Sequence, residues 1–165
     1  MEILIKKLTD VDLMRRACEM TMNGGKESKA TLRGMYDCEH SPCRTQLFWI
    51  EMLDIPSFVS THFVRHKIGV EHFVKTNRDD RGGTNDVTRM TPVNHGMLIN
   101  AQALIGMARK RLCIKSHPET IKVMRRIKDI LFNIDPDLAL CLIPECEYRG
   151  NFCHENKGCG KCPHK

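Results

Sequence analysis

Five of the nine cysteines in this 165-residue chain, Cys141, Cys146, Cys153, Cys159 and Cys162, fall inside the last 25 residues. That crowding divides the sequence by what each part can bury. Residues 1–140 carry the apolar periodicity from which a core is built, whereas residues 141–165 are basic and polar and cannot form a core alone. The expected organisation is an α+β domain over 1–140, a mixed sheet with packed helices, followed by a cysteine-rich appendage over 141–165. Cys146, Cys153, Cys159 and Cys162 are spaced C-x6-C-x5-C-x2-C, and Cys159-Gly160-Lys161-Cys162 is a compact chelating turn suited to tetrahedral zinc. Cys141, His154 and His164 are spare ligands. Free, reduced thiols are the alternative; disulfides suit a reducing compartment poorly, and redox chemistry lacks a thioredoxin-like βαβ context.

Within the body, residues 2–7 read as a strand, and Thr9 and Asp10 as caps of a helix running to Met22 and ended by Asn23-Gly24-Gly25. A second helix is expected over Ser28 to Tyr36, and a strand over Gln46 to Leu53. Asp54 and Pro56 then open a short helix with Phe58, Val59, His62 and Phe63 on one face, which delivers Arg65 and His66 at its end. Residues 78–91 read as a loop, and Met97 to Ile99 as a short strand. Asn100 caps a helix whose apolar stripe is Ala101, Leu104, Ile105, Ala108 and Leu112. A last helix follows Ser116, with Pro118 in its first turn and Ile121, Met124, Ile127, Leu131 and Ile134 on its buried side, until Asp135-Pro136 stops it.

A hydrophobic content of 41% with 28% charged residues is ordinary for a cored globular domain. The net charge of +6 favours anionic ligands such as nucleotides without the dense basic tract of a nucleic-acid arm. No apolar run approaches the length of a membrane span, and Met1-Glu2-Ile3-Leu4-Ile5 lacks the pattern of a signal peptide, so a cytoplasmic location without membrane contact is expected. His62 and His66 stand four apart on the presumed short helix, the spacing of paired metal ligands, yet two histidines lack the rest of a shell.

Phe63-Val64-Arg65-His66-Lys67-Ile68-Gly69 and its flanks carry a resemblance. Glu39-His40-Ser41-Pro42, Arg65-His66-Lys67, Arg89-Met90-Thr91-Pro92, Asn100-Ala101-Gln102-Ala103-Leu104 and then Arg111 follow in the order seen in the flavin-dependent thymidylate synthases. Ile143-Pro144-Glu145-Cys146, Gly150, Cys153 and Cys159-Gly160 resemble the end of those enzymes. The likeness spans most of residues 15–160. It implies reductive methylation of dUMP at C5, with FAD as cofactor, NADPH as reductant and methylenetetrahydrofolate as one-carbon donor, in a homotetramer with shared sites. Its compactness suits a phage or another compact genome.

By the resemblance, Arg65, His66, Lys67 and Asn100 face the flavin, and Arg78, Arg89 and Arg111 face the nucleotide. Arg111 is the foremost of these, and His62 takes the place of a Gln that reaches the nucleotide. Such chemistry needs cations for a phosphate and polarising groups for the uracil carbonyls. The chain also departs from the family. Phe73 stands where a Glu is expected, Lys75 where a Ser is, and Arg44-Thr45 where Glu-His is. Lys75 is then a candidate phosphate contact and Glu71 a substitute carboxylate. The alternative is a catalytically diverged homologue that binds a nucleotide, nucleic acid or protein and docks through a zinc tail.

Overall fold

The computed structural model describes residues 1–22, 28–83 and 86–164. Its frame is a four-stranded sheet in the order β1-β2-β4-β3, formed by β1 (Glu2–Lys7), β2 (Leu47–Pro56), β3 (Val70–Val74) and β4 (Pro92–Asn100). Every neighbouring pair is antiparallel, with Ile5 opposite Ile50, Ile50 opposite Met97 and Val70 opposite Ile99. The α+β expectation holds, but the sheet is antiparallel rather than mixed. The helices gather on one face instead of crossing over between parallel neighbours.

Period-two alternation sets that face. Ile3, Phe48, Ile50, Met52, Val93, His95, Met97 and Ile99 point inward and are buried. On the other face the Trp49 and Phe73 rings meet at 5.4 Å, over Gly96. A Cβ at Gly96 would lie 2.9 Å from the Trp49 ring, so only a glycine lets the indole lie there. Between Met52 and Ile55 the register slips, and Asp54 takes the left-handed conformation (φ 54°) with its amide bonded to Asn94 Oδ1 at 3.2 Å.

Over the inner face lie α1 (Val11–Met20), α2 (Leu32–Asp37), α3 (Ser57–Val64), α4 (Ala101–Arg111), α5 (Pro118–Ile134) and α6 (Pro136–Cys141), and α7 (Glu145–Tyr148) lies against α4. Asp10 caps α1 by accepting from Leu13 N, while Thr9 bonds Thr45 O and Leu47 N and thereby ties the helix start to β2. The second helix begins later than expected because Thr31 is its cap. The expected stop at Asn23-Gly24-Gly25 lies outside the described residues. Residues 78–91 form a loop with one 3-10 turn at Asp79–Arg81, apart from the two undescribed positions. No described helix is long and apolar enough to cross a membrane.

Two core rings, Phe48 and Phe63, are wholly buried, and each such side chain contributes about 1.5–3 kcal/mol of burial. One polar network is buried with them. Asp135, 2% exposed, accepts from Lys7 Nζ at 2.6 Å and Tyr36 Oη at 2.7 Å and caps α6 through Leu138 N. Burial and the Asp135 hydrogen bond both push the Tyr36 phenol up. The network locks the end of β1 to the α5–α6 corner.

Candidate functional site

The site grows from where α3 and α4 end. Arg65 closes α3, and the chain turns through His66, Lys67 and Ile68 to Gly69, whose left-handed backbone (φ 73°) starts β3. A Cβ at Gly69 would sit 2.4 Å from Asn100 Nδ2, so the turn closes on Asn100 only because the residue is glycine. Asn100 in turn caps α4, its Oδ1 accepting from Ala103 N at 2.9 Å, while its amide bonds Gly69 O. Its carboxamide oxygen therefore already has a structural task.

Arg111, the last residue of α4, reaches back to the end of α3. Its Nε donates to His66 Nε2 at 3.0 Å and a terminal nitrogen donates to the His62 carbonyl at 2.7 Å. Both acceptors are neutral, and among the described residues no carboxylate pairs with this half-buried guanidinium. Burial and then Arg65 lower its pKa. Burial, followed by the Arg111 charge and His72, lowers His66 to about 4. His62 is lowered by burial and by the charges of Arg111, Arg65, His117 and Arg89. Its Nδ1 meets the buried Thr120 hydroxyl at 2.8 Å, and its ring stands edge-on to Phe58.

Behind His66 runs a chain of histidines that the sequence reading did not single out. His72 Nε2 lies 2.7 Å from the His66 carbonyl, His72 Nδ1 lies 2.9 Å from His95 Nε2, and His95 Nδ1 lies 3.0 Å from Ser60 Oγ. A carbonyl only accepts, so His72 donates through Nε2 and in its neutral form accepts at Nδ1. His95 then donates through Nε2 and accepts from the Ser60 hydroxyl. His95 is 1% exposed and its pKa is lowered to about 4 by burial and by His72. The chain orients the turn that presents His66 to Arg111.

Two cavities flank the last turns of α4. One, of about 740 Å3, is lined by Arg44, Arg65, His66, Lys67, Gly69, Asn100, Gln102 and Gly106, with Lys110 at its edge. It brings together all four residues expected on the flavin side. The other, of about 380 Å3, is lined by Arg109, Lys110 and Arg111 of α4 with Lys115 and Ser116 after it, and by Glu145, Cys146, Arg149, Cys153 and Cys159 of the segment that follows α6. Arg109 Nε and Ser116 Oγ are buried and find no hydrogen-bond partner among the described residues. Arg109 pairs with Glu39 and stacks on the Tyr148 ring at 3.5 Å.

The remaining expected substrate contacts lie elsewhere on the single chain. Arg78 is exposed and forks onto the Asp80 carboxylate at 2.8 and 2.6 Å. Glu71 on β3 and Lys75 just past its end are exposed, on the outer side of the sheet with Phe73. Arg89 lies over the Phe58 ring at 5.4 Å and so stands near His62, outside both cavities. Lys110, Lys115 and Arg149 were not singled out from sequence. The run Arg109-Lys110-Arg111 at a helix end was the available signal for Lys110. All nine cysteines are free, and among the described residues no three ligating side chains converge on a metal position.

No protein-family model and no curated protein sequence matches the chain. Solved structures do match. Thymidylate synthase X from Helicobacter pylori, crystallised with FAD and dUMP, aligns with 86% of this chain and 99% of its own at 14% identity and a TM-score of 0.71. A second structure of the flavin-dependent enzyme from Helicobacter pylori, complexed with FAD and dUMP, gives 13% identity, 84% and 97% coverage and a TM-score of 0.70. The UMP/dUMP methylase PolB from Streptomyces cacaoi, bound with 5-Br dUMP, aligns over 85% and 94% at 14% identity and a TM-score of 0.60. The chain has their fold.

Proposed function

We propose that the chain binds FAD and a pyrimidine deoxynucleotide and methylates the nucleotide reductively, dUMP to dTMP, with methylenetetrahydrofolate and NADPH as co-substrates. The observation that carries this reading is Arg111: a half-buried guanidinium whose described partners are a carbonyl and a neutral imidazole is a positive charge awaiting an anion. The structures of the same fold that hold FAD and dUMP supply the class of anion. The larger cavity falls in the size range of cofactor pockets, and Arg44, Arg65, Lys67 and Lys110 give its rim the charge a diphosphate needs. When bound, the flavin supplies the electrons that reduce the transferred carbon. Arg111 and the orphaned Arg109 Nε and Ser116 Oγ hold the nucleotide phosphate, and His62 orients the base from the end of α3. A homotetramer, the assembly implied by the resemblance, belongs to the same proposal, as does cytoplasmic action.

One observation favours the alternative of a diverged binding module. Glu71 and Lys75, the expected replacements for signature residues, are exposed on the sheet face opposite the helices, and Arg78 is neutralised by Asp80. The visible spectrum of the protein titrated with FAD and then dUMP separates the two readings. A flavin spectrum perturbed by dUMP is expected. Arg111→Ala is expected to weaken dUMP binding by about tenfold to a hundredfold, the range of a charge-assisted hydrogen bond, with Arg111→Lys intermediate. Unchanged dUMP affinity in both variants removes the assigned site. A folded protein that takes up no flavin leaves the binding module.

A further inference from the structure

The tail inverts the usual rule of burial. From Glu147 to His164 every residue is exposed except Cys153, Cys159 and Cys162, and Cys146 is half-buried where the segment begins. Exposed side chains there include Tyr148 and Phe152, both of which a core would take first. Cys153 is buried and the other three thiols are partly so, while Phe152 is exposed and Tyr148 is covered only on the side where Arg109 stacks.

The segment is nonetheless folded back on itself. Cys153 N donates to Pro163 O at 2.8 Å, and Cys153 bridges to His164. Asn151 N donates to Cys146 O at 2.8 Å, and Lys161 pairs with Glu147 at 3.0 Å. Gly160, between Cys159 and Cys162, takes a left-handed turn (φ 79°) that closes the C-x2-C element. The Cys162 thiol lies beside Cys146, and Cys146, Cys153 and Cys159 line a single cavity. A few hydrogen bonds between exposed groups do not offset the conformational entropy of so long a segment without apolar burial.

We propose that Cys146, Cys153, Cys159 and Cys162 bind one zinc ion as a tetrahedral tetrathiolate, and that this ion holds the tail against α4 as the outer wall of the cavity containing Arg111. Four thiols are a full structural shell for zinc; in the conformation described Cys146, Cys153 and Cys159 line the cavity, Cys162 lies beside Cys146, and the four do not converge on one point. Each thiol loses its proton to solvent on binding, and no electron changes hands. The resulting site carries two net negative charges. Lys161 lies beside Cys146 and Cys162, and the cavity is lined by Arg109, Lys110, Arg111, Lys115 and Arg149 against Glu145 and Glu155, so net positive surroundings offset that charge. Lys115 also clasps the tail directly, donating to Lys157 O at 2.6 Å. Cys113, supplied by the body, lines the same cavity and is left out of the shell.

The test uses the full chain, produced with added zinc and kept under reductant. Elemental analysis is expected to give about one zinc per chain. Cys146→Ser, Cys159→Ser and Cys162→Ser are each expected to lose most of it, and Cys113→Ser to retain it. Cobalt(II) in place of zinc is expected to show thiolate charge-transfer and tetrahedral ligand-field bands. Chelation should open residues 149–164 to protease while residues 1–140 stay protected. A wild type without zinc, an iron–sulfur spectrum, an intact mass lighter by the hydrogens of a disulfide, or Cys113→Ser losing as much metal as Cys159→Ser each overturns the proposal. None of these readouts depends on flavin or nucleotide binding, so the result stands apart from the proposed activity.

Discussion

The body and the tail are held by opposite means. In the body, apolar side chains from one face of the sheet meet the helices, and of the polar groups that go inside, Asp135, His95, Ser60 and Thr120 are hydrogen-bonded, while Gln46 donates to Asp10 O and leaves its Oε1 unpaired among the described residues. In the tail, residues 147–164, the only side chains withdrawn from solvent are cysteines. A core distributes its stability over many contacts and survives the loss of a peripheral one. A segment organised around a few thiols depends on each of them.

The largest effect that should separate the two regions is a ring deletion. Phe63→Ala is expected to cost about 3–5 kcal/mol in denaturant unfolding of the body, because the ring is wholly buried, whereas Phe152→Ala in the tail, with its ring 47% exposed, should leave the transition in place. Acid should sharpen the contrast. The folded-state pKa of His95 is about 4 against an ordinary 6.5, so between those values the unfolded chain binds a proton that the folded chain refuses. Stability is then complete above about pH 6.5 and falls as the pH drops toward 4, by on the order of 3 kcal/mol for this one histidine. His95→Gln should flatten that slope in a pH series of urea midpoints, and an unchanged slope would show that the buried histidine titrates freely. The smallest effect is a gain. Gly106 lies within α4, and a Cβ there meets nothing within 4 Å, so Gly106→Ala should stabilise the body by about 1 kcal/mol.

What the sequence revealed follows the reach of local pattern. The strand at residues 2–7 and the helices after Asn100 and Pro118 were legible because an apolar period and a cap coincide in each. β4 was recognised only over its last residues, since His95 and Gly96 interrupt its alternation. His95 is inside because Ser60 and His72 satisfy it, and Gly96 is required by Trp49 on another strand. Neither fact lies in a local window. β3 was not recognised, and the site reading suffered for it. Strand alternation sends His72 inward to the His66 carbonyl and Glu71 and Phe73 outward, so a residue read as incidental meets the turn that carries His66 while Glu71 lies on the opposite face. α6 and α7, six and four residues long, are too short to show a period. Arg111 was legible because it stands at the end of the helix that Asn100 caps.

Lys110 faces both cavities, and Arg109 and Arg111 beside it face the smaller one, so the final turn of α4 is a partition with an occupant's space on each side. A partition has a single position at a time. Any ligand that draws this turn toward itself changes the room and the charge offered to its neighbour, and by linkage the neighbour changes the first affinity by the same factor. Two occupants that both drew on this turn would form one thermodynamic unit, in which the order of filling sets the path while the combined free energy is the same.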